Sequence, residues 1–347
     1  MKIKTNHTFF LVALVALLLF SCTKEEPRPQ QPDVPQIILD TDIGSSTDDL
    51  FAMQVFYRYA AQGRCRLLGV VVDRMGDTNA AVADLMNNYY GFPELPLALE
   101  RNGANNHYAY INYTPIAQAT DDNGNLLFVR TYNDYSVLPD GYQLYRRLLS
   151  QADDGSVTIM LTGIPSTVAN LLASGADQYS PLTGVELVRR KVKRLYFMAT
   201  KLTPEAEQGV GVGYNIRTHP EAAASLFELW PDDVDIILSP SAPGDMVEYP
   251  SEQVISDISW TDIHPMKQIY LRFNCNTGQK MWDLMLPLME MEDSSLFALS
   301  PRGHLTLADD KVSFTADPAG NIRYQLPGDA AWAASILQII RDFNRIH

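Results

Sequence analysis

Ile37-Ile38-Leu39-Asp40-Thr41-Asp42-Ile43-Gly44-Ser45-Ser46-Thr47-Asp48-Asp49-Leu50-Phe51-Ala52-Met53 is the stretch that decides the fold. An apolar run of strand length ends in two acids one residue apart. A glycine and small polar residues follow, and two adjacent acids then open an amphipathic segment. The pattern reads as strand, loop, helix. Each acid alone has an ordinary reading: Asp48 as a helix cap, Asp49 as a charge favouring the helix N-terminus, Asp40 and Asp42 as turn residues. Capping needs one acid, not four. Carboxylates at the C-terminal end of a strand and the start of the next helix can converge on one point, where α/β folds place ligands. Four such charges repel strongly in a cleft of low effective dielectric, and a hard divalent cation with oxygen ligands, Ca²⁺ or Mg²⁺, resolves the conflict.

The rest of the chain has the rhythm that such a start demands. Residues 50–61 continue with helical spacing to Gly63, and residues 67–72 form an apolar, β-rich run that finishes at Asp73-Arg74-Met75-Gly76-Asp77. An Ala-rich helix over 80–90 stops at Gly91, and 95–99 is a short third strand. Alternation of this kind predicts βαβ units and a parallel sheet. Further strands are expected at 157–161, 192–199 and 234–238, a helix at 141–152, β-hairpin edges within 297–324 and an amphipathic helix over 330–346. The expected fold class is therefore α/β: an open, mostly parallel, Rossmann-like sheet flanked by helices, in a single domain. Residues 102–139 lack regular patterning, and an insertion of that length inside a domain usually covers a site. It carries His107, Tyr108, Tyr110 and Tyr113, which are candidates for the face that covers a ligand.

Composition narrows the function. The chain has 347 residues with 46% hydrophobic and 20% charged, enough for a sizeable core. A formal charge of −14 argues against nucleic acid as a partner, because nothing would neutralise phosphates along a backbone. The first residues are a targeting segment: Lys2 and Lys4 precede an unbroken apolar run over 9–20, too short to span a bilayer comfortably. Leu19-Phe20-Ser21-Cys22 resembles a bacterial lipoprotein cleavage box, which implies that Cys22 carries the lipid anchor. Glu25-Glu26 behind it resembles the surface-export signal of Bacteroidetes lipoproteins. Residues 23–35 hold Pro27, Pro29, Pro32 and Pro35 and read as an extended tether. The expected layout is a lipoprotein signal peptide over 1–22, the tether over 23–35 and the domain over 36–347. The expected location is the cell envelope, with membrane contact only through the anchor. The two remaining thiols, Cys65 and Cys275, do not imply a disulfide.

The run from Asp40 to Asp49 resembles the amino-terminal metal motif of the inosine-uridine type nucleoside hydrolases, Asp-x-Asp-x-Gly-x-Asp-Asp, with three residues, Ser45-Ser46-Thr47, where that family usually has one. Thr162-Gly163, directly after the strand at 157–161, resembles the family's turn whose Thr carbonyl reaches the metal. Gly213-Tyr214-Asn215-Ile216 keeps an Asn of a Glu-Phe-Asn segment and lacks its Glu. Gly278-Gln279-Lys280-Met281-Trp282-Asp283-Leu284 resembles the segment that carries the last metal ligand, with Trp282 where one branch has a His.

The resemblance implies hydrolysis of the N-glycosidic bond of ribonucleosides, with a purine leaning suggested by Trp282. It implies a Ca²⁺ ion (Mg²⁺ as the alternative) held by Asp42, Asp49, Asp283 and the carbonyl of Thr162. Asp42 would also take the proton of the attacking water, and Trp282 would stack on the departing base. Asp48 and Asn215 would bind ribose hydroxyls, His107 and Tyr108 would cover the base, and Asp40 would support the loop from behind. The partner implied is a small nucleoside, and family members are usually dimers or tetramers. Two other readings stay open. One is a non-catalytic or divergent surface binder of nucleoside or sugar on the same fold. The other is phosphoryl transfer, since Asp40-x-Asp42 after a strand also opens haloacid-dehalogenase-type phosphatases, although that motif does not explain Asp48-Asp49.

Overall fold

The computed structural model describes residues 34–103, 111–273 and 277–346. Its strands in chain order are β1 (Gln36–Thr41), β2 (Arg66–Val72), β3 (Leu97–Leu99), β4 (Val157–Leu161), β5 (Val192–Met198), β6 (Val210–Gly211), β7 (Asp235–Ser239), β8 (Glu248–Tyr249), β9 (Gln279–Lys280), β10 (Gly303–Ala308), β11 (Lys311–Ala316) and β12 (Ile322–Tyr324). Ten of them form one sheet in the order β3-β2-β1-β4-β5-β7-β12-β10-β11-β6, and β8 and β9 pair separately. The strands from β3 to β12 in that order run parallel, and β10, β11 and β6 extend the edge antiparallel.

Side chains of the parallel strands alternate between two buried layers. Ile37, Leu39, Val70, Val72, Met160, Tyr196 and Ile237 face one side. Ile38, Val71, Ile159, Leu161, Leu195, Phe197, Ile236 and Leu238 face the other. Helices cover both faces, which is why these strands read as continuous apolar runs rather than alternating ones. One layer includes helices Asp48–Ala61, Met285–Met291 and Ala330–Arg345, and the other includes Gly141–Gln151, Ser166–Ala173 and Pro220–Leu229.

The chain lays β2 and β3 on one side of β1, then returns to add β4 on the other. Strand order therefore reverses between β1 and β4, and the crevice beyond their carboxyl ends is where such sheets bind ligands. The expected α/β fold is the observed one, and the expected strands lie within a residue or two of the observed ones. One element differs from expectation. Residues 322–324 are not part of a hairpin edge: β12 pairs parallel with β7 inside the main sheet, while β10 and β11 form the hairpin beyond it. No helix among the described residues is long and apolar enough to cross a membrane. Cys65 is a buried free thiol, and Cys275 lies outside the described residues.

Candidate active site

The end of β1 sets the site's floor. Thr162, just past β4, donates its backbone N–H to the Asp40 carbonyl at 2.8 Å, so the two strand ends are locked side by side. Their hydroxyls then reach one helix-start acid: Thr41 Oγ1 donates to Asp49 Oδ1 at 2.5 Å and Thr162 Oγ1 to the same oxygen at 3.2 Å. Asp49 Oδ2 is buried and has no hydrogen-bond partner among the described residues. Gly163 keeps the turn tight, because a Cβ there would collide with the backbone of Asp42 and the carboxyl of Asp73. Gly44, with φ of +110°, makes the bend that turns the chain from strand to helix.

Asp48 is tied to the far end of the sequence. Its Oδ2 accepts from the backbone N–H of Asp283 at 3.1 Å, and its Oδ1 accepts from Gln279 Nε2 at 3.3 Å and from Ser46 Oγ. Thr47 Oγ1 donates to Gln279 Oε1 at 2.9 Å instead of capping its own helix. These bonds bring together Asp48, Asp49 and Asp283, one carboxylate oxygen of each lying within 4.8 Å of the others. All three are buried, and their carboxyls are pushed up, first by burial and then by neighbouring carboxylates, Asp42 in the case of Asp48 and Asp49, and Asp48 in the case of Asp283. Asp48 rises to about 6, and Asp49 and Asp283 rise well above the usual carboxylate range.

Asp42 sits beside this trio with a different partner set. Its Oδ2 accepts from Ser45 Oγ and lies 3.7 Å from Arg74 Nη2. Burial raises its carboxyl, and the Arg74 charge works against that rise. Arg74, itself buried, also donates to Ser45 Oγ and to the Tyr214 hydroxyl, both at 2.6 Å. Behind the loop, Asp40 Oδ2 accepts from the Tyr145 hydroxyl at 2.9 Å, and Asp73 at the end of β2 is fully buried. Burial raises both carboxyls strongly.

A cavity of about 410 Å³ opens onto this floor. Asp42, Asp48, Thr162, Asn215, Trp282 and Asp283 all line it, so these expected site residues from four distant segments do meet. Asn215 spends both amide hydrogens on the carbonyls of Thr162 (2.7 Å) and Met198 (2.9 Å), leaving its Oδ1 to face a ligand. Half-buried Trp282 donates Nε1–H to Asp245 Oδ1 at 3.0 Å. Asp40 does not line the cavity, which agrees with a supporting place behind the loop. His107, Tyr108 and Cys22 lie outside the described residues. Tyr113, a third aromatic candidate from the insertion, is buried and donates its hydroxyl to the Ser46 carbonyl at 3.0 Å, so it braces the loop.

No family model matches the chain, and no curated protein matches it. Solved structures do. An inosine-uridine preferring nucleoside hydrolase from Bacillus anthracis superposes with a TM-score of 0.64 at 14% identity, covering 89% of this chain and 100% of that one. The purine-preferring ribonucleoside hydrolase from Gardnerella vaginalis gives 0.63 at 13%, covering 90% and 100%. The type III effector XopQ, in complex with adenosine diphosphate ribose, gives 0.62 at 15%, covering 91% and 95%. The chain has the nucleoside hydrolase fold.

Within the nucleoside hydrolase fold of this chain, a metal site can be judged on its donors. The trio offers oxygen ligands only, one of them a buried oxygen without a partner, and its raised carboxyls need a cation before they can ionise together. That suits Ca²⁺ or Mg²⁺ and not a metal that seeks nitrogen or sulfur. Compared with the expected ligand set, Asp48 stands in the trio and Asp42 beside it. The sequence reading passed over Asp73, Arg74, Tyr214, Gln279 and Asp245. Asp73 had a signal, an acid directly after a doubly buried parallel strand. The Arg74–Tyr214 and Gln279–Asp48 contacts span 140 and 231 residues and left no local trace.

Proposed function

We propose that the protein hydrolyses the N-glycosidic bond of ribonucleosides, with a purine leaning, and depends on a hard divalent ion, Ca²⁺ before Mg²⁺. The observation that carries this reading is the buried trio Asp48, Asp49 and Asp283, drawn from distant parts of the chain, two of whose members, Asp48 and Asp283, line a cavity of about 410 Å³. When bound, such an ion offsets the clustered carboxylates and supplies the Lewis acidity that makes water a nucleophile near neutral pH. Asp48, Asp49 and Asp283 would hold it, with the Thr162 carbonyl as a further oxygen donor.

The chain's own groups would do the rest. Asp42, the cavity acid outside the trio, takes the proton of the attacking water. The Arg74 charge beside it keeps its carboxyl from rising further, so a proton-free form is available. Asn215 Oδ1 accepts a ribose hydroxyl. Trp282 stacks on the base, its ring fixed by Asp245. Tyr214, which lines the cavity and whose hydroxyl accepts from Arg74, would protonate the leaving base. The test is release of reducing sugar from inosine, guanosine and uridine with and without Ca²⁺. Turnover that disappears with chelator and with Asp42→Asn is expected, and no turnover on any nucleoside at saturating Ca²⁺ would sink the reading.

Since Gly213-Tyr214-Asn215 keeps the Asn but lacks the Glu of the resembling segment, a second reading is a nucleoside or sugar binder without turnover. Calorimetry would then show Ca²⁺-dependent binding of inosine or ribose while the sugar assay stays flat. In either case we infer a chain tethered through Cys22.

A further inference from the structure

The cavity has a second wall that a neutral nucleoside leaves unused. Lys201 follows β5, Arg217 lies on the short helix Tyr214–Thr218, and both line the cavity whose floor is acidic. Both are exposed, and among the described residues neither side chain has a hydrogen-bond or ion-pair partner. Of the floor's acids, Asp42 already has a cation of its own in Arg74, buried and 3.7 Å away.

The backbone that presents them is held at a cost. Thr200, immediately before Lys201, has φ of +75°, a left-handed conformation that a β-branched residue rarely adopts, and it is fully buried. Strain of this kind persists where surrounding contacts over-determine it, and it clusters at ligand sites. Here the contacts are visible. Ser241 donates its backbone N–H to the Thr200 carbonyl at 3.3 Å. Gly213 packs so closely that a Cβ would stand 2.9 Å from the Thr200 nitrogen. That packing sets the strand-end segment of Lys201 against the start of the helix that bears Arg217.

We propose that the preferred substrate is a ribonucleoside bearing an anionic group on its 5′ carbon, a nucleoside 5′-monophosphate, with Lys201 and Arg217 gripping the phosphate. The inference rests on the functional reading above and deepens it. If the vicinal hydroxyls go to the acidic floor and the base goes to Trp282, the 5′ carbon is the substituent left for the remaining wall. A guanidinium and an ammonium without protein partners are the donors that a phosphate takes. In the reaction, water adds at C1′ as the bond from C1′ to the base nitrogen breaks. The water's oxygen stays on the sugar and one of its protons passes to the base, giving free base and ribose 5-phosphate.

Two measurements test this separately from the hydrolase reading. In the first, kcat/KM of the Ca²⁺-loaded protein is compared for inosine 5′-monophosphate and inosine. A ratio of at least ten is expected, falling at least tenfold in the double variant Lys201→Ala/Arg217→Ala and shrinking as salt is raised. In the second, calorimetry compares ribose 5-phosphate with ribose, which needs no turnover. The phosphate is expected to bind at least tenfold tighter, with the advantage lost in the double variant. Equal binding of the two sugars, or a preference for inosine, overturns the proposal even if nucleosides are cleaved. No turnover of either inosine compound overturns the hydrolase reading, and the sugar comparison then decides the proposal alone. Circular dichroism of the variant guards against a folding defect, and Lys201→Arg/Arg217→Lys, which keeps both charges, should retain most of the preference.

Discussion

Two buried groups of carboxylates in this protein are treated in opposite ways. Asp257 is almost fully enclosed, yet it accepts from the Tyr249 hydroxyl (2.9 Å), from Arg341 Nε (2.8 Å) and from Arg345 Nε (2.8 Å). Burial would raise its carboxyl, but these hydrogen bonds outweigh burial and hold it below the usual range. Asp48, Asp49 and Asp283 are likewise buried and lie close together, and among the described residues no arginine pairs with them; their carboxyls rise. Where an acid serves the fold, the chain brings its own cation. Where three are left without one, the countercharge has to come from outside.

The contrast can be broken most directly at Asp49. Asp49→Asn should remove Ca²⁺-dependent sugar release by more than about 100-fold, since loss of a partner behind a metal ligand alone costs ~10–100-fold. Its thermal midpoint without Ca²⁺ should rise or stay level. Wild-type activity in the variant would show that the trio holds no ion. Asp257→Asn should do the reverse. It should lower unfolding free energy by about 2–3 kcal/mol, at the low end for a broken buried pair because the arginines are partly exposed, and leave turnover per folded molecule unchanged in urea-titrated samples.

Tyr214→Phe sharpens the site further. A fall in kcat of about 10–100-fold with KM little moved is expected for a proton donor to the leaving base. A change confined to KM would make Tyr214 a packing residue.

The smallest effect is on stability against pH. In ion-free protein the trio's carboxyls are higher when folded than when unfolded, so the folded state holds more protons between those limits. The stability they contribute is full below the unfolded value of about 4 and is lost as pH rises through about 6, Asp48's folded value, and beyond. A melting midpoint that drops a few degrees from pH 4.5 to 7.5 with chelator, and recovers on adding Ca²⁺ at pH 7.5, is the expected result. A midpoint that rises with pH in chelator would mean that the acids already have countercharges.

How much of this was legible in the sequence follows from range. The parallel strands were readable because burial on both faces makes each one an uninterrupted apolar run, as at Val157–Leu161, and because β1 ends in acids. Asp48 and Asp49 stood out as adjacent acids that open a helix after a strand ending in acids, whereas Thr162 and Asp283 were picked out only by the resemblance of their segments to a family's motifs. The short helices Ser251–Asp257 and Pro265–Phe273 went unread, since a helix of two turns has little periodicity and takes its stability from packing. Arg74 and Tyr214 had no local mark at all; they matter only because the fold sets β2's end beside the helix after β6. Strand β12 was misplaced because three residues cannot announce whether they pair parallel or antiparallel.

The lengthened loop Ser45-Ser46-Thr47 has a mechanical consequence. Extra residues usually add slack, but here each is fastened to a different stretch of chain: Ser45 to Arg74, Ser46 to Tyr113, Thr47 to Gln279. The first acids therefore cannot spread apart unless the far third of the polypeptide lets go at the same time. Capture of an ion and closure of the tertiary structure become a single event, and resistance to proteases, read after adding Ca²⁺, should spread to all three fastening points together.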